Sequence, residues 1–207
     1  MIGIFDSGRG GLTVLKAIRE QMPSADILYF GDIKNAPYGE KSREELSRLT
    51  VNDIRVLQAR GATSIVSACN SVSASLAISL FDALGLAQQN LIEMVGPTVS
   101  YFRDFKKPIL LAATPATVAS ELYQNAFQML GIEIDTVAIP KLAGAIEFGI
   151  SAKDQELLIA AAFAAHDMKK YGAIILACTH YPLALTSFRE VLGDMPFFDP
   201  AEAVAER

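Results

Sequence analysis

The chain has 207 residues, of which 51% are apolar and 20% charged, with a formal net charge of −5. Such a length and composition exclude disorder and allow a real core in one large domain or two small ones. The acidic balance argues against nucleic acid as a partner, since that role needs a basic face to neutralise phosphates. No run reaches the roughly 18 apolar residues of a membrane span, and Met1-Ile2-Gly3-Ile4-Phe5-Asp6 lacks the basic start of a leader. The two cysteines stand 109 positions apart, which gives no CxxC, no zinc spacing and no disulfide framework, and two histidines make a poor metal site. The expectation is a cytoplasmic protein with reduced thiols, no metal, no nucleic-acid partner and no membrane association.

Ile2 to Phe5 reads as a strand that stops at Asp6-Ser7-Gly8-Arg9-Gly10-Gly11, with a helix-period segment from Leu12 to Met22 behind it. The glycines let the backbone approach a ligand and free the amides at the helix start for a carboxylate or phosphate. Their spacing fits neither the dinucleotide fingerprint nor the P-loop. Asp6 is the odd member, a carboxylate where an anion-binding loop should have none.

A second strand, Ile27 to Phe30, leads into Gly31-Asp32 and an irregular loop with Asn35-Ala36-Pro37-Tyr38-Gly39. Open parallel sheets place their sites at such strand ends. The helix from Ser42 to Arg60 opens with a capping-box pattern and stops at Gly61. Ser64 to Ala68 is a strand that delivers Cys69 to Asn70-Ser71-Val72-Ser73, a polar helix start, with a helix over 74–84 and a strand from Leu91 to Val95 behind it. Amides and dipole at a helix start favour an anion, so a thiol there, with an ordinary pKa of about 8.5, shifts toward thiolate. By itself a buried cysteine is as a rule only a small hydrophobe.

After Gly96-Pro97 the pattern begins again. Ile109 to Ala112 is a strand leading to Thr114-Pro115-Ala116-Thr117 and a helix through Leu130, and Ile134 to Ile139 is the next strand. Helices follow over Leu142 to Ile150 and Asp154 to Lys170, and the strand Ala173 to Leu176 reaches Cys178-Thr179-His180-Tyr181-Pro182 ahead of a helix from Leu183 to Leu192. Strand and helix alternate throughout, which means α/β architecture with parallel sheets covered on both faces.

The two passes agree in spacing: Asp6 to Cys69 is 63 positions and Thr114 to Cys178 is 64. Both cysteines hold the same place in their half, for which simple burial offers no reason. Two similar lobes facing each other across a cleft would present two thiols to one ligand from opposite sides. Inverting a carbon with an exchangeable proton needs such a pair, one base and one conjugate acid. A cysteine hydrolase, with His180 near Cys178 as its base, is the other reading, and it leaves Cys69 idle.

The segments Gly3-Ile4-Phe5-Asp6-Ser7-Gly8, Gly10-Gly11-Leu12-Thr13-Val14, Gly31-Asp32, Pro37-Tyr38-Gly39, Ala68-Cys69-Asn70-Ser71, Ala113-Thr114-Pro115-Ala116-Thr117 and Cys178-Thr179-His180-Tyr181-Pro182 resemble the signatures of bacterial glutamate racemases, in the aspartate/glutamate racemase superfamily. The resemblance implies a cofactor-independent, PLP-independent two-base isomerase that interconverts L- and D-glutamate and supplies D-glutamate to peptidoglycan in cell wall biogenesis. It makes Cys69 and Cys178 the acid/base pair, with Asp6, Glu147 and His180 in support. Substrate contacts carry over to Asp6, Ser7, Tyr38, Gly39, Asn70, Ser71, Thr114, Thr117, Thr179 and His180.

Three positions depart from the pattern: Arg9 stands where a small or apolar residue is usual, Ser71 where threonine is common, and Ala177 for a frequent glycine. Arg9 is read as a surface contact or a clamp on its loop. The expected organisation is a lobe over residues 1–96, a second lobe over 97–198, and at 199–207 the start of a segment that returns to the first lobe and stops several tens of residues short of the family's usual length. The missing cover is then a fragment's loss, or is supplied by a second subunit, as in a homodimer. A racemase of aspartate or another small acid, and a binding or regulatory homologue without turnover, are the alternative readings.

Overall fold

A computed structural model of the chain describes residues 1–73 and 84–207. The helix expected over 74–84 lies, apart from Leu84, outside the described residues. The first half runs β1 (Ile2–Asp6), α1 (Leu12–Gln21), β2 (Ile27–Gly31), α2 (Arg43–Gln58), β3 (Ser64–Ser67), α3 (Asn70–Ser73) and β4 (Leu91–Ile92). The second runs α4 (Val95–Tyr101), β5 (Ile109–Ala113), α5 (Pro115–Ala119), α6 (Leu122–Met129), β6 (Ile134–Ala138), α7 (Leu142–Phe148), α8 (Ala152–Phe163), β7 (Ala173–Ala177), α9 (Leu185–Leu192), β8 (Phe197–Phe198) and α10 (Pro200–Ala205).

Among the described residues two four-stranded parallel sheets form, ordered β2-β1-β3-β4 and β6-β5-β7-β8, so each half builds the same topology. β5 and β7 are buried along their whole length, as parallel strands covered on both faces should be. Their period of two still sorts the side chains. Leu110, Ala112, Ile174 and Leu176 enter one core, while Ile109, Leu111, Ala113, Ile175 and Ala177 enter the other. In the first sheet Phe5 and Ile65 face one side, Ile4 and Val66 the other. The central strands β1, β3, β5 and β7 all end on one side of their sheets, and there Asp6, Cys69, Thr114 and Cys178 emerge.

Several element limits differ from the sequence reading. Gly96-Pro97 lies in the first turn of α4, and Val95 belongs to this helix rather than to a strand. The Glu93 carboxylate accepts the amides of Val95 and Gly96 at 2.6 Å each, and proline is tolerated in a first turn because its missing N–H has no helical partner there. The helix read as continuous through Leu130 is two, α5 and α6, because Glu121 takes a left-handed conformation (φ 56°) and Ser120 bonds back to the Thr117 carbonyl. The helix read from Asp154 to Lys170 ends at Phe163, with a separate 3-10 turn at Met168–Lys170. Asp167 caps that turn, accepting from the Lys169 amide at 3.1 Å.

The chain passes from the second sheet back to the first through α10. Asp199 accepts the Ala201 amide at 3.0 Å, Pro200 opens the helix, and Ala201 and Val204 pack with Ile4, Val14, Ile18, Val66 and Met94. Val204 is the deepest aliphatic side chain of α10. Val204→Ala is expected to cost about 2 kcal/mol in urea unfolding at unchanged slope, and a loss below about 0.5 kcal/mol would mean that α10 is not docked in solution.

Candidate active site

The loop after β1 is shaped by Asp6. Its Oδ2 accepts the amides of Gly8 and Gly11, both at 3.0 Å, and its Oδ1 accepts the Thr179 hydroxyl from the second lobe at 3.1 Å. The Arg9 amide donates to Glu147 Oε2 at 2.9 Å. These amides, expected to serve a ligand anion, are instead spent on two carboxylates of the protein itself, which resolves the oddity of Asp6: it is the anion that the loop binds. The glycines likewise admit the opposite lobe rather than a ligand. A Cβ on Gly10 would lie 2.6 Å from His180 Nδ1 and Thr179 Oγ1, and one on Gly39 2.6 Å from Thr114 Cβ.

Cys69 and Cys178, free thiols with 4% and 6% exposure, line one cleft from its two sides. Cys178 Sγ is 4.0 Å from His180 Nδ1, and His180 Nε2 is 2.5 Å from Glu147 Oε2. Glu147 also receives Arg9 Nε at 3.1 Å, and the Arg9 guanidinium reaches the Glu147 carbonyl. Arg9 thus joins the two lobes, clamping more than its own loop. Burial works against the Glu147 carboxylate, but the Arg9 amide, His180 and the Arg9 guanidinium outweigh it and hold its pKa below the usual range. An ionised Glu147 only accepts, so Nε2 carries a hydrogen and Nδ1 faces the thiol.

The thiolate expected at the start of α3 is not what this environment favours. Burial pushes the Cys69 thiol up to about 12, with the charge of Asp6 adding to it, while the Val72 amide, the Ser7 hydroxyl and the Ser71 amide pull the other way and lose. Burial also raises Cys178, against the His180 amide, and the charges of Cys69 and Asp6 raise it further. Dehydration outweighs the helix start because the site is shut. The cleft is a cavity of about 10 Å³, room for roughly one water.

Ser7, Tyr38, Gly39, Asn70, Ser71, Thr114, Thr179 and His180 all line this cleft with the thiols and Glu147. Asp6 and Thr117 stand behind it. Thr117 supports the wall, with its Oγ1 3.0 Å from Thr114 Oγ1, which is in turn 2.9 Å from Ser71 Oγ. Asn70 is set by a residue the sequence reading passed over: the Tyr123 hydroxyl of α6 donates to Asn70 Oδ1 at 2.6 Å. The Asn70 Nδ2 has no partner among the described residues and is buried, a donor held ready beside the thiols. Tyr38 lines the cleft, while its hydroxyl is engaged with Asp32 and Asp53. Tyr123 carries no local signal, being one aromatic on a core-facing helix stripe. Asp53 carries one, since it is a carboxylate on the stripe of α2 formed by Leu46, Leu49, Ile54 and Leu57.

Comparison with known proteins agrees over the whole chain. Residues 10–207 match the family model described as Asp/Glu/Hydantoin racemase. The glutamate racemase of Lactobacillus helveticus is 35% identical over 213 residues, covering 99% of this chain and 78% of that protein. Among solved structures, glutamate racemase from Francisella tularensis in complex with D-glutamate superposes with a TM-score of 0.88 at 31% identity, over 99% of this chain and 78% of the other. Glutamate racemase isoform RacE1 from Bacillus anthracis gives 0.86 at 28% identity, over 100% and 79%. By this likeness the chain is an isomerase, and it belongs to the Asp/Glu/Hydantoin racemase family.

Proposed function

We propose that the chain interconverts L- and D-glutamate by two-base proton transfer, with Cys69 on one face of the substrate α-carbon and Cys178 on the other. The observation that carries this is the pair of buried thiols at matching strand ends, lining one cleft from two lobes of the same topology. The relatives that bear the name glutamate racemase, one of them solved with D-glutamate, support the substrate.

The α-proton of an amino acid is weakly acidic, so the site must supply a strong base and stabilise a carbanion-like transition state by orientation and electrostatics. At rest both thiols hold their protons. Cys178 gives its proton to His180 Nδ1, and Glu147 on the opposite ring nitrogen stabilises the imidazolium formed. The thiolate of Cys178 then takes the α-proton from one face while the Cys69 thiol delivers its proton to the other. The cycle ends with Cys178 protonated and Cys69 as thiolate, the state that accepts the opposite enantiomer. A substrate ammonium offsets the negative charge that burial and Asp6 make costly.

The Asn70 Nδ2 and the hydroxyls of Ser7, Ser71 and Thr179 are the donors for the substrate carboxylates, with Tyr38, Gly39 and Thr114 shaping the wall. On this reading the enzyme works without a cofactor, in the cytoplasm, and supplies D-glutamate to peptidoglycan.

Proton NMR of each glutamate isomer with the protein in deuterated water tests the assignment. Loss of the α-proton signal with inversion is expected from both isomers, and absence of exchange from either, in folded protein, overturns it. Cys69→Ser and Cys178→Ser are each expected to lower racemisation by about 10²–10⁴-fold or more, and full turnover by either variant rules out the two-base pair. Tyr123→Phe frees Asn70 and is expected to raise KM for glutamate about fivefold with a smaller effect on kcat. An unchanged KM would mean that Asn70 needs no anchoring.

A further inference from the structure

The Tyr38 hydroxyl lies 2.6 Å from Asp32 Oδ2 and 2.9 Å from Asp53 Oδ2. A phenol has one hydrogen to give. If it goes to one carboxylate, the other contact is a hydrogen bond only when that carboxyl brings a hydrogen of its own. Two bare carboxylates around one phenol would instead set a lone pair against a lone pair, with like charges close together and no salt bridge to either among the described residues.

The surroundings decide which carboxyl holds the extra proton. Asp32 also receives the Asn35 amide, at 3.0 Å on Oδ1 and 2.7 Å on Oδ2, so donors surround it as they do an ionised carboxylate. Asp53 is fully buried in the middle of α2, and its Oδ1 has no hydrogen-bond partner among the described residues. An ion left with an unpaired oxygen in the core is the costlier choice.

We propose that Asp53 keeps its carboxylic acid proton up to near-neutral pH and is a positioning residue, donating to Tyr38 Oη while Tyr38 donates to Asp32, so that Tyr38 is held in the wall of the cleft. Every hydroxyl hydrogen in this chain is used once and every donor points the same way. The proton is a property of the fold, whereas its consequence for turnover rests on the racemase reading. Tyr38 stands between Pro37 and Gly39, which also line the cleft, and the Gly39 carbonyl accepts the Ala116 amide of the second lobe at 2.8 Å. A displaced Tyr38 therefore disturbs both the wall and the seam between lobes.

Burial raises the Asp53 carboxyl to about 7, and the charge of Asp32 adds to this, against the hydrogen bonds of Tyr38 and Asn52. Among the described residues on the elements packed against α2, Asp6 of β1 is engaged by its own loop and Thr179, Tyr29 of β2 by the Gly8 carbonyl at 2.6 Å, and Cys69, ahead of α3 in the same core cluster, is raised by burial. Because the folded pKa lies above the unfolded one, near 3.8, the group's stabilisation is complete at acid pH and is lost as pH rises through about 7. Above that pH the two carboxylates compete for one phenol hydrogen.

Carbon-13 NMR of the full chain, labelled at aspartate carboxyl and tyrosine ζ carbons, is the test. The Asp53 resonance, identified by its loss in Asp53→Asn, should titrate near 7, and the Tyr38 resonance, identified by its loss in Tyr38→Phe, should move with the same midpoint and stand still in Asp53→Asn. The asparagine keeps a donor toward Tyr38. A midpoint for Asp53 below 5, or a Tyr38 signal indifferent to it, overturns the proposal. Should Asp53→Asn not fold, Tyr38→Phe still decides, since removing the oxygen that accepts the Asp53 proton must lower the Asp53 midpoint, and an unchanged or higher value refutes the bond. In turnover, KM for glutamate is expected to rise about fivefold above pH 7 in the native protein and to stay flat in Asp53→Asn; equal pH profiles would refute the positioning role. A protein that shows the NMR titration but racemises no glutamate leaves the proton in place and refutes the substrate instead.

Discussion

A buried carboxylate without a cation beside it has to be surrounded by donors, and Asp6 meets that condition with the Gly8 and Gly11 amides and the Thr179 hydroxyl. Much else follows from this. The two amide bonds curl the loop into the entry of α1, and the hydroxyl bond draws the end of β7 toward the end of β1. The charge, fixed at the back of the cleft, raises both thiols and the half-buried Tyr29 phenol alongside burial itself. One side chain thus sets the loop and the seam, and adds to what burial does to the thiols.

The halves repeat in topology but not in chemistry. Cys178 has an imidazole behind it, itself backed by Glu147 and Arg9. Cys69 has a serine hydroxyl and backbone amides, and Asp6 acts on it through charge. A symmetric scaffold therefore carries an asymmetric pair. Arg9, at the lobe seam, is what ties the imidazole branch of the second half to the glycine loop of the first.

The repeated strand, polar loop and helix were legible because each is encoded within a few residues: β-branched runs, glycine turns, capping boxes such as Ser42 with Glu45. The two thiols were legible because the repeat doubled a weak signal. What escaped is contact between distant parts. Nothing near Tyr123 says that it meets Asn70, 53 positions away, and nothing in the glycine loop says that its amides serve carboxylates of the fold. The thiolate expected at Cys69 failed for a related reason, since helix-start amides act locally while dehydration depends on how the second lobe closes over the first. Element limits slipped where polar side chains override periodicity, as Glu93 does at Val95 and Ser120 at the break before α6.

The return of α10 to the first sheet has a mechanical consequence. The chain crosses between the lobes twice, before α4 and again before α10, and the two helices that follow these crossings pack on each other. A single crossing would act as a swivel. Two crossings among the described residues, with their helices packed together, restrain that swivel. The cross-lobe bonds of Asp6, Arg9, Ser71 and Asn70 gather instead around the cleft that holds the thiols. Admission of a ligand and release of those bonds are therefore the same event.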